Sequence, residues 1–235
     1  MSSGFGRRIA ALLTALATAV VIVAVAILPF LTPAWVDFGQ GWAGAIGYTG
    51  FTHDELQTAT DSILADLVVG PPDFDVTIRG VPVLNERERA HMRDVRGVFA
   101  GFAVLAVLAA AGLLAAYIGS RRLGHPERWW SAVRNGTRGL AVGIVVVGLI
   151  AFFAFDAAFE VFHRLFFAGG SYLFNPATDR LVQLFPDAFW SETTMAVGVV
   201  VLVLTLVVAT VAGRRARGAV SRLDARPVVV PEAIG

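Results

Sequence analysis

Between Leu149 and Phe167 the chain reads L-I-A-F-F-A-F-D-A-A-F-E-V-F-H-R-L-F-F, an apolar stretch interrupted by Asp156, Glu160 and His163 at steps of four and three residues. At about 100° per residue these three fall within an arc of about 60°, so they form one polar stripe on a helix otherwise covered by phenylalanine. Ionisable groups at membrane depth are costly and mark a function by default. A second set, His91 and Asp94, stands three residues apart just before another apolar run, Val95 to Gly119. Two acid and imidazole pairs of this kind suit general acid and base chemistry. Helix-borne E-x-x-H and H-x-x-D also offer metal ligands, but only two histidines and two or three carboxylates are available for such a centre. The acid and base reading explains the same residues with fewer assumptions and requires neither metal nor cofactor.

The elements that must place these residues follow from composition. Of the 235 residues 56% are hydrophobic and 16% charged, and the mean hydropathy is +0.69. Such a chain is an integral membrane protein. Cysteine is absent, which excludes a disulfide framework, a thiol nucleophile and a thiolate metal site. Nothing in the composition points to a nucleic-acid partner, and no feature sets an oligomeric state.

Four runs are long enough to cross a hydrocarbon core of roughly 30 Å: Ile9 to Leu31, Val95 to Gly119, Leu140 to Phe162, and Thr193 to Ala212. The first exceeds the usual h-region of a signal peptide, and Thr32-Pro33-Ala34 is a poor cleavage site, so it is read as a retained span. Thr32 to Asp94 is polar and predicts a small α+β cap. Within it, Thr52 and Glu55 fit a capping box that opens a helix running to Val69. Phe74 to Arg79 and Val81 to Leu84 read as strands turned at Gly80, and Asn85 caps a helix that continues into the second span. The L-V-Q-L-F-P stretch before the fourth span reads as half-buried or interfacial. The tail after Gly213, rich in arginine, reads as disordered.

The segments between spans divide the 19 basic residues, all arginine, into twelve on the side of the termini and seven on the other. Because short basic segments stay inside, both termini are expected in the cytoplasm, with the cap outside. Leu140 to Phe155 makes about 24 Å of helix, which puts Asp156 near the outer edge of the bilayer and His163 about 10 Å further out. His91 and Asp94 come from the opposite direction to the same boundary. His53 and His125 are read as surface residues.

The ordered set H-M-R-D-V-R at the second span, F-E-V-F-H-R-L-F-F at the third, D-R-L-V-Q-L-F-P-D-A-F-W before the fourth and F-T-x-x-E-L in the cap resembles the four-span bacterial membrane proteins that include the lipoprotein intramolecular transacylase. Where that pattern places Asn or Trp after the double phenylalanine, this chain has Gly169, Gly170, Ser171 and Tyr172. The resemblance implies an acyltransferase that moves an ester-linked acyl chain of a diacylglyceryl-cysteine lipoprotein onto the α-amine of the same cysteine. It assigns base and acid to His91 and His163, without saying which is which. Asp94 and Glu160 would orient the rings and fix their tautomers, and Asp156 or Arg164 would be subsidiary.

The expected architecture is therefore an all-α membrane protein: residues 1–31 as cytoplasmic start and first span, 32–94 as extracytoplasmic α+β cap, 95–212 as spans two to four, and 213–235 as a disordered basic tail. Its expected partners are diacylglyceryl lipoproteins or membrane lipid. The alternative is a non-enzymatic envelope protein whose cap binds a partner.

Overall fold

The computed structural model describes residues 2–224. The elements in chain order are α1 (Ser2–Ile27), a 3-10 turn (Leu28–Leu31), α2 (Pro33–Ala43), α3 (Ala45–Thr49), α4 (His53–Val68), β1 (Thr77–Ile78), β2 (Val81–Pro82), α5 (Glu86–Arg122), α6 (Pro126–Phe153), α7 (Phe155–Phe166), a 3-10 turn (Ala168–Gly170), α8 (Arg180–Leu184) and α9 (Asp187–Asp224). Four helices are long and apolar enough to span a membrane: Gly4–Leu31, Glu86–Arg122, Pro126–Phe153 and Asp187–Ala219. The fold is thus the expected four-span helical one. α1, α6 and α9 form its tightest part, with Ile22, Ala26 and Val201 buried among them. At Gly136 of α6 an added Cβ would lie 2.6 Å from the Ala15 carbonyl of α1. Glycine there is what lets the two backbones approach, a common device where helices pack in lipid.

The cap has its own core of Leu56, Ala59, Ile63, Phe74, Val76, Ile78, Val83, Leu84 and Met92, joined by Leu181 and Leu184. α4 opens with the capping box expected at Thr52 and Glu55. β1 and β2 pair antiparallel, Thr77 with Pro82 and Ile78 with Val81. Arg79 and Gly80 turn the hairpin with φ of 54° and 75°, the left-handed pair that a two-residue turn between twisted strands needs.

Three expectations are corrected. Residues 33–49 are helical, as α2 and α3, where no element was foreseen. Thr32 caps α2 by accepting from the Trp35 N–H, and Pro33 at the first helical position starts it. The L-V-Q-L-F-P stretch, expected to be half-buried or interfacial, is a helix, α8, and more than half-buried, with Leu181 and Leu184 filling the cap core. The tail is helical through Asp224, because α9 continues beyond the bilayer by about three turns rather than ending near Ala212; the rest of the expected tail lies outside the described residues.

A fourth correction bears on the site. The third span does not run straight to Phe162. α6 ends at Phe153, Ala154 leaves the helical region with φ −146° and ψ 52°, and α7 begins anew at Phe155. The depth arithmetic beyond Ala154 therefore does not hold. α7 has a phenylalanine-rich flank and a polar flank and buries no residue; Val161, Phe162, Leu165 and Phe166 are all exposed. An amphipathic helix with such a face settles at the bilayer interface.

Candidate active site

His91 is placed by a rigid piece of backbone. Asn85 caps α5 by accepting from the Glu88 N–H (3.0 Å), and Glu88 reaches back to accept from the Asn85 N–H (2.7 Å). The other Glu88 oxygen accepts from the Leu181 N–H at 2.6 Å, and the side chain is 1% exposed. Burial raises the Glu88 pKa, opposed by the hydrogen bonds from Leu181 and Asn85. One turn further along α5, on the same face, comes His91, 5% exposed. This part of α5 precedes the apolar run and belongs to the cap, since neighbouring Met92 lies in the cap core.

His163 comes from α7 and is half-buried. Its Nδ1 donates to the Phe159 carbonyl at 2.8 Å, a bond that leaves Nε2 with the free lone pair when the ring is neutral. The two imidazoles stand 6.1 Å apart between centroids and 24° from parallel. Aromatic rings enclose them. Phe167 touches both, at 4.8 Å from His91 and 5.5 Å from His163; Phe174 lies 5.4 Å from His91, and Phe159 and Tyr172 lie 4.0 and 5.0 Å from His163.

This setting disfavours charge on either ring. Burial first, then the neighbouring His163, push the His91 pKa down to about 4, only partly offset by Asp94. Burial also lowers His163, with the Phe159 carbonyl pulling the other way. Near neutrality the pair is uncharged, and a proton added to one ring opposes protonation of the other. The Nδ1 of His91 is buried without a partner, so it remains free to bond to a polar group entering the site.

The structure brings the two histidines together and leaves the carboxylates outside. Asp94 is exposed and hydrogen-bonds to neither ring, acting on His91 only through space. Glu160 is also exposed and pairs with Arg164 one turn on. Asp156 is in the first turn of α7, where its charge complements the helix N-terminus, about 10 Å along the axis from His163. The expectation that Asp94 and Glu160 fix the tautomers is thus replaced, for His163, by a backbone carbonyl. His53 and His125 pair at the surface with Asp37 and Glu127. Among the described residues no group of three His, Asp or Glu converges as metal ligands would.

Sequence reasoning missed the clamp that joins the cap to the second outer loop. Asp179 accepts from Arg87 (2.6 Å), from the Asn175 N–H (2.7 Å) and from Asn85 (3.4 Å), while Arg87 also donates to the Leu173 carbonyl (3.1 Å) and lies over the Phe174 ring. Together with Glu88 and Leu181, these contacts hold Phe174 against His91. The signal was present as D-R-L-V-Q-L-F-P, but nothing in one dimension says that its Asp meets an Arg 92 residues earlier.

Fold and site define a class: a four-span membrane protein with an imidazole pair enclosed by aromatics beside its extramembrane cap. Within that class, the family profile described as lipoprotein intramolecular transacylase Lit matches residues 8–190, and the chain belongs to this family. Among solved structures, the membrane-integral lipoprotein intramolecular transacylase Lit from Bacillus cereus superposes with a TM-score of 0.75 at 17% identity, covering 95% of this chain and 100% of that one. Two variants of that protein, one with a histidine replaced by arginine and one by alanine, superpose with TM-scores of 0.71, each at 17% identity. They cover 94% and 95% of this chain and 95% and 98% of theirs. At that identity the likeness is one of fold. No curated protein matches the sequence significantly.

Proposed function

We propose that this protein moves an ester-linked acyl chain of a diacylglyceryl-cysteine lipoprotein onto the α-amine of the same cysteine, with His91 and His163 as its proton-transfer groups. The observation that carries the reading is the pair of neutral imidazoles 6.1 Å apart, brought in by two different helices. Because ester and amine belong to one molecule, the protein has mainly to fold the substrate and move protons, and proximity supplies much of the rate. No side-chain nucleophile is needed.

In this scheme the amine nitrogen attacks the ester carbonyl, the new C–N bond forms and the C–O bond to glycerol breaks. An α-amine titrates near 8, so a neutral imidazole can take its proton as attack proceeds. The free Nε2 of His163 suits that task, because the Phe159 carbonyl fixes the opposite proton and favours the imidazolium that results. The proton then passes to the departing glycerol oxygen. His91, more deeply buried and harder to charge, serves as the neutral partner, bonding to the reacting carbonyl or relaying the proton. The products are an N-acyl amide and a free glycerol hydroxyl. Asp94, Glu160 and Asp156 act at most through space or through α7.

The arginine distribution supports an orientation with both termini in the cytoplasm, which sets the imidazoles at the outer leaflet, where a lipoprotein's lipid anchor resides. The test is mass spectrometry of lipoprotein N-termini after expression in a bacterial host lacking N-acylation. The expected product is the N-acyl lyso form. Its absence from a correctly inserted protein overturns the reading.

A further inference from the structure

At the end of the bundle opposite the histidines, α1, α6 and α9 meet closely. Ala132, Val133, Gly136 and Thr137 of α6 are buried there, as are Ala212, Gly213 and Ala216 of α9. Gly213 leaves a notch in this packing, and two cationic side chains lie over it. The Arg217 Nη1 is 3.7 Å and the Arg134 Cδ 3.8 Å from the position its Cβ would occupy. One side chain comes from each helix. Arg217 folds back along α9 toward Gly213.

Nothing among the described residues answers this charge. Among the described residues neither Arg134 nor Arg217 forms an ion pair, and the Nε of Arg134 is buried with no hydrogen-bond partner. The acid on the same flank of α6, Glu127, turns one oxygen to His125 at 3.2 Å and Arg128 at 3.9 Å, and its other oxygen is buried without a hydrogen-bond partner and pairs with neither Arg134 nor Arg217. Two cationic side chains lying over one glycine repel one another, and a buried N–H without an acceptor is destabilising, so an anion bridging them removes both costs. The level is that of a headgroup. Tyr117, Trp129 and Trp130 form an interfacial aromatic cluster at this end, and the adjoining flanks of α6 and α9 expose Val142, Leu206 and Val207, where acyl tails would run.

We propose that Arg134 and Arg217 clamp the phosphate of an anionic glycerophospholipid in the notch at Gly213. A phosphate matches the guanidinium fork, and a lipid supplies it at the depth where both side chains end. The site is separate from the imidazole pair and holds or fails independently of the acyl-transfer reading.

The experiment is native mass spectrometry of the full-length protein in a zwitterionic detergent, titrated in parallel with phosphatidylglycerol, phosphatidylcholine and inorganic phosphate. Phosphatidylglycerol should be retained in preference to phosphatidylcholine, and inorganic phosphate should not displace it. R134Q and R217Q should each weaken phosphatidylglycerol binding about fivefold, while R121Q at the same end of the bundle leaves it unchanged. Arg217 is exposed, so R217Q reports on the site even if R134Q disturbs packing. Equal retention of the two lipids, equal loss in R121Q, no loss in R217Q, or displacement by inorganic phosphate alone would each overturn the proposal.

Discussion

The two imidazoles come from regions built on opposite plans. The segment around His91 is tied down: Glu88 closes a capping box and holds Leu181, Asp179 gathers Arg87, Asn85 and Asn175, and Met92 sits in the cap core. The segment around His163 is a twelve-residue helix that buries nothing, begins after a break at Ala154 and exposes an apolar flank. One half of the site is positioned by protein. The other half is left to the membrane beneath it, because no part of the described chain covers Val161, Phe162, Leu165 and Phe166. A reaction on a lipid-anchored substrate gains from this division: a fixed partner holds the geometry while a helix at the interface can admit the acyl chains.

The strongest break in that comparison is functional. His91→Ala and His163→Ala should each lower N-acyl product by about 10²- to 10⁴-fold in the lipoprotein assay, yet only His91→Ala should also lower the melting temperature, since only that ring fills a packed site. Next comes the clamp. Glu88→Ala strands the Leu181 and Asn85 N–H groups and should destabilise the cap by about 1–3 kcal/mol, read as an earlier thermal transition, whereas Glu160→Ala on α7 should leave unfolding unchanged. Should the two behave alike, the contrast between rigid and membrane-held halves is wrong.

Amide hydrogen exchange sharpens the same contrast. Residues 155–166 should exchange faster in detergent than in lipid nanodiscs, while residues 86–94 should be equally protected in both. A smaller effect is expected from pH. The folded pKa of His91, about 4, lies below the ordinary 6.5, so the unfolded chain takes up the proton first. Stability from this group is complete above about pH 6.5 and declines as the pH falls toward 4. The melting temperature of the native chain should drop across that window more than that of His91→Asn, a comparison that differential scanning fluorimetry can make.

Much of this was legible from one dimension. Long apolar runs identify spans because the bilayer allows few alternatives, and the Thr52–Glu55 and Asn85 caps are local patterns that fold as they read. H-x-x-D and E-x-x-H led to both histidines but overvalued their acids. The i,i+3 spacing places Asp94 and Glu160 near the rings' helix faces without saying what else competes for them, and Arg164, one turn away, takes Glu160. The break at Ala154 carries no Pro or Gly to announce it. The α2 and α3 helices hid in a stretch rich in glycine, whose low helix propensity is overridden by the Thr32 cap and by packing such as Gln40 donating to the Leu184 carbonyl at 2.8 Å.

By itself the sequence determined four membrane spans, a capped extramembrane domain, the family and the two histidines able to move protons, because hydropathy and local hydrogen bonding act over a few turns of chain. Only the tertiary structure decided that His91 and His163 face each other at 6.1 Å, that Phe167 and Phe174 enclose them, and that a backbone carbonyl holds the His163 tautomer. Those facts depend on where separate helices meet and where one of them breaks. They are set by packing between distant segments, which local pattern does not encode.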